Sequence, residues 1–145
     1  MSIDMLSAQA PLSPDEAKQY SPLTLAFLGD SVYEVMVRET LLREANRSAR
    51  ELHAQVVAHV RAAYQADAAG RIAEVLTETE ADILRRGRNA SGISVPKHAT
   101  PADYRKATGV ECLFGYLYLC GEITRLRELF AVIWKEQAQE REISE

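Results

Sequence analysis

One long apolar segment limits what this chain can fold into. The segment from Leu23 to Arg38 has the sequence LTLAFLGDSVYEVMVR, and as an α-helix it is apolar on nearly every side. Such a helix is expected in the middle of a fold. Asp30 nevertheless lies halfway along it, and Glu34 follows one turn later on the same side. Because an unpaired buried carboxylate is costly, we expect a partner charge, a water-filled cleft or a metal ion beside Asp30.

The size and composition of the chain predict one globular domain. Its 145 residues, 47% hydrophobic and 26% charged, can bury a sizeable core without stabilising disulfides or metal ions. We expect a single domain over residues 1–145, with its core at about 21–136 and loose termini at 1–12 and 137–145. No secretory signal and no apolar run of bilayer length is present, so we predict a cytoplasmic chain with no membrane partner.

The two cysteines are predicted to be free thiols. Cys112 and Cys120 are eight residues apart in one predicted helix, a separation of about 12 Å at the rise of an α-helix. This distance is too long for a disulfide. His and Cys do not cluster at zinc spacing either, so we expect two ordinary thiols, which are typical of a protein from a reducing compartment.

Capping residues and hydrophobic periodicity predict an all-α fold of about six or seven helices. No segment alternates convincingly with the period of a strand. The central helix is expected to run to about Glu44, and the next helical region to Leu76 with a break near Arg61. Gly87 is expected to end a short helix, and Gly121 marks a turn. The predicted helix starts are Ser13, Ser21, Ser48, Thr77 and Thr100.

Two glycines suggest where the central helix meets another. Gly29 lies inside the helix, where glycine costs roughly 0.5 to 1 kcal/mol relative to alanine, and close approach of a second helix is the usual reason. The late apolar helix has Glu111 and Gly115 on one face. If the helices cross at these glycines, Asp30 and Glu111 face one another. Two such carboxylates require a shared proton or a cation, and oxygen ligands of this kind suit Mg²⁺ or Mn²⁺.

Structural roles for these acids remain open at this point. Arg38, two turns after Asp30, could neutralise it, and Glu111 could belong to an ordinary ion pair. Glu34 could be either a carboxylate near a metal or the partner of Arg38.

The segment between Leu84 and Lys106 is strongly basic although the chain carries a net charge of −4. It contains six Lys or Arg residues against Asp103 alone. A loop without periodicity, Arg88 to Thr100, lies within it, and a loop of this length in a compact domain is more often functional than idle. The basic residues could be a solvated face or could bind phosphates.

The motifs together resemble the ribonuclease III family. FLGDSVYE, which includes Asp30, is similar to the signature helix of its catalytic domain, and ECLFGYLYL, which starts at Glu111, is similar to its second signature. The elements RRGRNA, PK and YRKATGVE resemble the Mini-III subfamily, which has the catalytic domain without a double-stranded-RNA-binding domain. The similarity extends from about Pro22 to Trp134.

The resemblance implies the site residues. Asp30 and Glu111 would be catalytic, metal-binding carboxylates for Mg²⁺, with Mn²⁺ as a substitute. RNA-binding residues would be Arg86, Arg88, Asn89 and Lys97, and Glu34 and Arg38 would lie around the site. Ala26 and Thr108 stand where typical members carry two further acids. Mini-III proteins share this reduced set, which leaves the number of bound metal ions undecided.

The resemblance also implies the activity. We expect a symmetric homodimer with the ribonuclease III endonuclease fold that cleaves double-stranded RNA, leaving 5′-phosphate and 3′-hydroxyl ends. The implied substrate is the precursor of large-subunit ribosomal RNA, and a ribosomal protein that assists its presentation is left open. One alternative is a catalytically weak relative that binds structured RNA or ribosomal particles. Another is an all-α interaction module whose acids are structural.

Overall fold

The computed structural model of the chain describes residues 6–144, with side chains as far as Trp134. The predicted loose termini therefore lie partly outside the described residues. Within these limits the fold has no strand, which confirms the all-α prediction, and no helix is long and apolar enough to cross a membrane. The seven helices are α1 (Pro14–Lys18), α2 (Pro22–Glu44), α3 (Ala49–Val60), α4 (Ala62–Ile72), α5 (Glu78–Arg88), α6 (Pro101–Leu119) and α7 (Ile123–Ser144).

The predicted caps start the helices as expected. The side chains of Ser13, Ser21, Ser48, Thr77 and Thr100 each accept a hydrogen bond from a backbone N–H in the first turn of the helix that follows. The break between α3 and α4 falls at Arg61, whose backbone is extended. Gly121 has φ of +72°, a left-handed conformation that suits the turn between α6 and α7.

Two predicted helix ends were wrong. Helix α4 ends at Ile72 and not at Leu76, because a tight turn follows in which the Val75 N–H donates to the Ile72 carbonyl over 3.0 Å. Gly87 does not end α5, which runs one residue further to Arg88. Its missing side chain serves packing, since a Cβ on Gly87 would meet the side chain of Cys112 on α6 at about 2.6 Å.

Helix α6 is the most completely buried element, and it packs against α2, α4 and α5. Cys112 is buried within it and Cys120 follows at its end, and both are free thiols as predicted. Helix α2 is less buried than we expected. It buries one face against α6 but leaves Phe27, Val35 and Leu42 exposed at 82%, 47% and 61%. Asp30 is exposed as well, so it is not an unpaired carboxylate buried in an apolar helix.

Candidate active site

The crossing of α2 and α6 brings Asp30 and Glu111 together, as the glycine pattern predicted. A Cβ on Gly29 would overlap the backbone carbonyl of Glu111, and a Cβ on Gly115 would overlap the carbonyl of Leu25. The two backbones are therefore in contact at these glycines. Asp30 directly follows Gly29, and its carboxyl group lies within hydrogen-bonding reach of the Glu111 carboxyl group.

The two acids line one wall of an open cleft of about 310 Å³. Residues from the start of α2 and the first half of α6 form two sides. The third side is the loop between α5 and α6, so the segment without periodicity does reach the site. The lining residues are Leu23, Ala26, Phe27, Asp30, Gly92, Ile93, Ser94, Tyr104, Thr108 and Glu111.

The positions where typical family members carry further acids are apolar or internally bonded here. Ala26 is buried in the cleft wall. Thr108 is also buried, and its hydroxyl donates to the Tyr104 carbonyl over 2.9 Å. Asp30 and Glu111 are therefore the only carboxylates that line this cleft in the described part of the chain.

The pKa of Glu111 is strongly raised. Its burial, together with hydrogen bonding and charge repulsion from Asp30, raises the pKa of its carboxyl group to about 8. Hydrogen bonding from the Gln65 side chain opposes this rise. Among residues 6–134, no Lys or Arg forms an ion pair with either acid. The pair therefore has room for a proton or a cation.

Arg38 does not neutralise Asp30. Its guanidinium group pairs with Glu34 instead, with Nη2 to Oε2 at 3.0 Å and Nε to Oε2 at 3.1 Å. Both side chains are well exposed, at 58% and 38%. Of the two roles left open for Glu34, this geometry shows the partnership with Arg38.

The four predicted RNA-binding residues lie outside the lining of the cleft. Arg86 is half-buried and its Nη2 donates to the Lys18 carbonyl at the end of α1, over 3.5 Å. Arg88, Asn89 and Lys97 are exposed on either side of the loop segment that does line the cleft.

Sequence reasoning missed Gln65, whose side chain lies against Glu111. Gln65 is 1% exposed on α4. It shares one face with Ala68, Ala69 and Ile72, which follow at i+3, i+4 and i+7 and are also buried. A lone amide in an otherwise apolar stripe was the signal that could have found it.

The donor set fits a hydrated divalent cation. The described residues contain no group of three or more His, Cys, Asp or Glu that could hold a metal ion, so protein ligands would be limited to the two carboxylates. Mg²⁺ tolerates such a site because it retains several waters and binds through one or two carboxylates plus substrate phosphates. A cation would also relieve the repulsion between Asp30 and Glu111.

Comparison with known proteins assigns the family. The Ribonuclease III domain model matches residues 23–122, which includes both acids and both glycines of the crossing. The chain belongs to the ribonuclease III family. It is 49% identical over 117 residues to the Mini-ribonuclease 3 of a Synechococcus strain, covering 81% of this chain and 83% of that protein. It is 48% identical over 108 residues to the Mini-ribonuclease 3 of Symbiobacterium thermophilum, covering 74% and 83%.

A solved structure shares the fold. The crystal structure of a protein from Fusobacterium nucleatum superposes with a TM-score of 0.75 at 29% identity, covering 84% of this chain and 98% of that one. The predicted Mini-III subfamily is therefore confirmed, and the chain is an endoribonuclease. Enzymes of this family generally depend on divalent metal ions.

Proposed function

We propose that this endoribonuclease cleaves double-stranded RNA at the Asp30 and Glu111 cleft with the help of Mg²⁺. The observation that carries the proposal is the pair of carboxyl groups held together without a basic partner in the described residues. A structural acid pair would be expected to have a basic neighbour, whereas a metal site needs ionised oxygens that the protein leaves unpaired.

The two carboxylates differ in what they can do. Asp30 is exposed at the cleft and can bind a cation that arrives with the substrate phosphate. Glu111 is half-buried and must release its proton before it can bind, which ties metal binding to pH. Bound between them, Mg²⁺ or Mn²⁺ would supply a Lewis acid that acidifies water and neutralises charge on the phosphate. The products would be 5′-phosphate and 3′-hydroxyl ends.

The surface around the cleft supports an RNA ligand. Arg88, Asn89 and Lys97 are exposed and flank the loop residues of the cleft wall, where they can bind phosphates or 2′-hydroxyls across the wide minor groove. Binding through these few cations should be modest and should weaken steeply with salt. Arg86 contributes less directly, because its guanidinium group is already bonded to α1.

A homodimer is part of the proposal. Phe27, Val35 and Leu42 are exposed apolar residues spaced eight and seven apart, so they lie along one side of α2. A second copy that packs on this stripe would bury it, and Phe27 would place the subunit boundary at the cleft. Two sites in one dimer suit the two strands of a duplex. Light scattering should give the mass of a dimer, and Leu42→Glu should shift it toward the monomer.

The subfamily resemblance also suggests a natural substrate. We infer that the chain matures the precursor of large-subunit ribosomal RNA in the cytoplasm, with a ribosomal protein as a candidate assistant. Cleavage of this precursor by the purified protein, compared with that of an unrelated duplex of equal length, tests the preference.

The test of the activity is cleavage of long duplex RNA with and without Mg²⁺. We expect wild-type protein with Mg²⁺ to cut, and Asp30→Asn to cut more than about hundredfold more slowly, beyond the 10- to 100-fold typical of residues that only support a metal ligand. Glu39→Gln is a matched control, because Glu39 is an exposed acid on the same helix that pairs with Arg43. Uncut RNA, or undiminished cutting by Asp30→Asn, would refute the proposal and leave a protein that only binds RNA.

A further inference from the structure

Helix α4 contributes one polar side chain to the neighbourhood of the acids. Gln65 is 1% exposed, and its Nε2 donates to the Val60 carbonyl over 3.0 Å. Val60 is the last residue of α3, and its carbonyl is free for this bond because the helix breaks at Arg61. One N–H of the amide is thereby fixed by the backbone of the α3–α4 break.

The Gln65 side chain also lies beside the acid on α6. Hydrogen bonding from this side chain acts to lower the pKa of Glu111, as a donor beside a carboxylate does. Nε2 has two hydrogens, so it can bond Val60 and Glu111 at once. Gln65 Oε1 is buried and has no hydrogen-bond partner among the described residues. A buried amide oxygen is costly to leave unpaired, which a purely structural glutamine would not explain.

We propose that Gln65 is a positioning residue that fixes the Glu111 carboxylate for metal binding, and this inference rests on the proposed function of the cleft. The Val60 carbonyl anchors the amide, and the amide in turn holds the Glu111 oxygens toward Asp30. Its free Oε1 can accept a hydrogen bond from a water in the inner part of the site. Asp30, in contrast, is exposed at the cleft.

The experiment compares Gln65→Met with Ile72→Val. Methionine keeps the length of the side chain but removes both amide atoms. Ile72 is a fully buried residue two turns further along α4. Ile72→Val therefore also weakens the packing of this helix, but it leaves the Gln65 amide in place. Two quantities are measured for each protein: the Mg²⁺ concentration that gives half-maximal cleavage, and the rise in melting midpoint that saturating Mg²⁺ produces.

We expect Gln65→Met to need about tenfold more Mg²⁺ or more, since loss of a support to a metal ligand typically costs 10- to 100-fold. Its Mg²⁺-induced rise in melting midpoint should shrink accordingly, while the rate at saturating Mg²⁺ falls less. Ile72→Val should respond to Mg²⁺ as the wild type does. If Gln65→Met does not fold, Gln65→Asn serves the same measurement, because its amide is drawn back from Glu111 by one methylene.

A Gln65 variant that responds to Mg²⁺ like Ile72→Val would overturn the positioning role. Asp30→Asn separates this failure from failure of the proposed function. If Asp30→Asn is inactive and Gln65→Met is normal, only the role of Gln65 is wrong. If Asp30→Asn cleaves RNA at the wild-type rate, the cleft is not the active site.

Discussion

Two glutamates in this fold are shielded from solvent but have different partners. Glu80 on α5 is 6% exposed, and Arg125 of α7 binds both of its oxygens, with Nε to Oε2 at 2.8 Å and Nη2 to Oε1 at 2.9 Å. Burial acts to raise the pKa of Glu80, but hydrogen bonds from Arg125 and from the Thr77 backbone outweigh it and hold the pKa below its usual value. This carboxylate is satisfied within the protein.

Glu111 is left without such a partner. Burial and the neighbouring acid Asp30 raise the pKa of Glu111 to about 8. The same physics therefore gives opposite results on two helices that pack against one another. Glu80 ties α5 to α7, whereas Glu111 has no basic partner and can bind a cation once it loses its proton. The comparison shows that a shielded acid is a candidate functional site when the fold provides no basic residue to pair with it.

The largest expected effect comes from forcing the Asp30 and Glu111 helices apart. Gly29→Ala should destabilise the protein by more than about 4 kcal/mol, a range that only exceptional substitutions reach, because the new Cβ would overlap the Glu111 carbonyl. Gly70→Ala is the control, since a Cβ there would meet no heavy atom within 4 Å beyond its chain neighbours and the local helix backbone, and alanine should gain about 0.5 to 1 kcal/mol in a helix. Urea unfolding measures both. Equal stability of the two variants would contradict the close crossing.

Removing the counter-charge of Glu80 should make it resemble Glu111. Arg125→Met should cost about 3 kcal/mol or more, because it leaves a buried carboxylate unpaired. The double variant Arg125→Met with Glu80→Gln should recover part of this loss. Thermal unfolding of both proteins checks the prediction. A double variant that is no more stable than Arg125→Met would show that packing, and not charge, holds α5 to α7.

The two glutamates should make the free energy of unfolding depend on pH in opposite directions. Glu111 in the folded metal-free protein keeps its proton up to about pH 8, whereas unfolded glutamate loses it near 4.5. The folded state then binds more protons between these values, so its stability should fall as pH rises, by about 2 to 3 kcal/mol from pH 5 to 8. Glu80 has a lowered pKa, so its contribution is lost only as pH falls below about 4.5.

The variant Glu111→Gln isolates this pH effect. Unfolding free energies of wild type and Glu111→Gln, measured with a chelator at pH 5 to 8, should converge at low pH and separate at high pH. Ionisations elsewhere in the chain are common to both proteins and cancel in the difference. A constant difference across this range would mean that Glu111 is already ionised at pH 5.

The smallest expected change in stability comes from removing one member of the acid pair. Above about pH 8, where Glu111 is ionised, Asp30→Asn should stabilise the metal-free protein by up to about 1 kcal/mol, because it removes repulsion at an exposed site. It should also abolish the rise in melting midpoint that Mg²⁺ produces in the wild type. Glu34→Gln is the control: it breaks only the exposed pair with Arg38, should cost less than about 0.5 kcal/mol, and should keep the response to Mg²⁺.

Much of the fold could be predicted from local sequence. Five capping residues predicted five helix starts, because a cap bonds a backbone N–H only three residues away. Helix ends were harder. Glycine is a residue type that commonly ends a helix. At Gly87, however, the missing side chain allows close packing of α6, which is distant in sequence.

The sequence by itself determined the family, the all-α class and the meeting of Asp30 with Glu111, since two glycines beside two acids specify where two helices can touch. Only the tertiary structure decided which acid is shielded and which amide supports it. Asp30 is exposed because α2 turns its acid toward an open cleft, and Gln65 reaches Glu111 from a third helix. Solvent access and a partner charge depend on every element that packs around a residue, which no local pattern encodes.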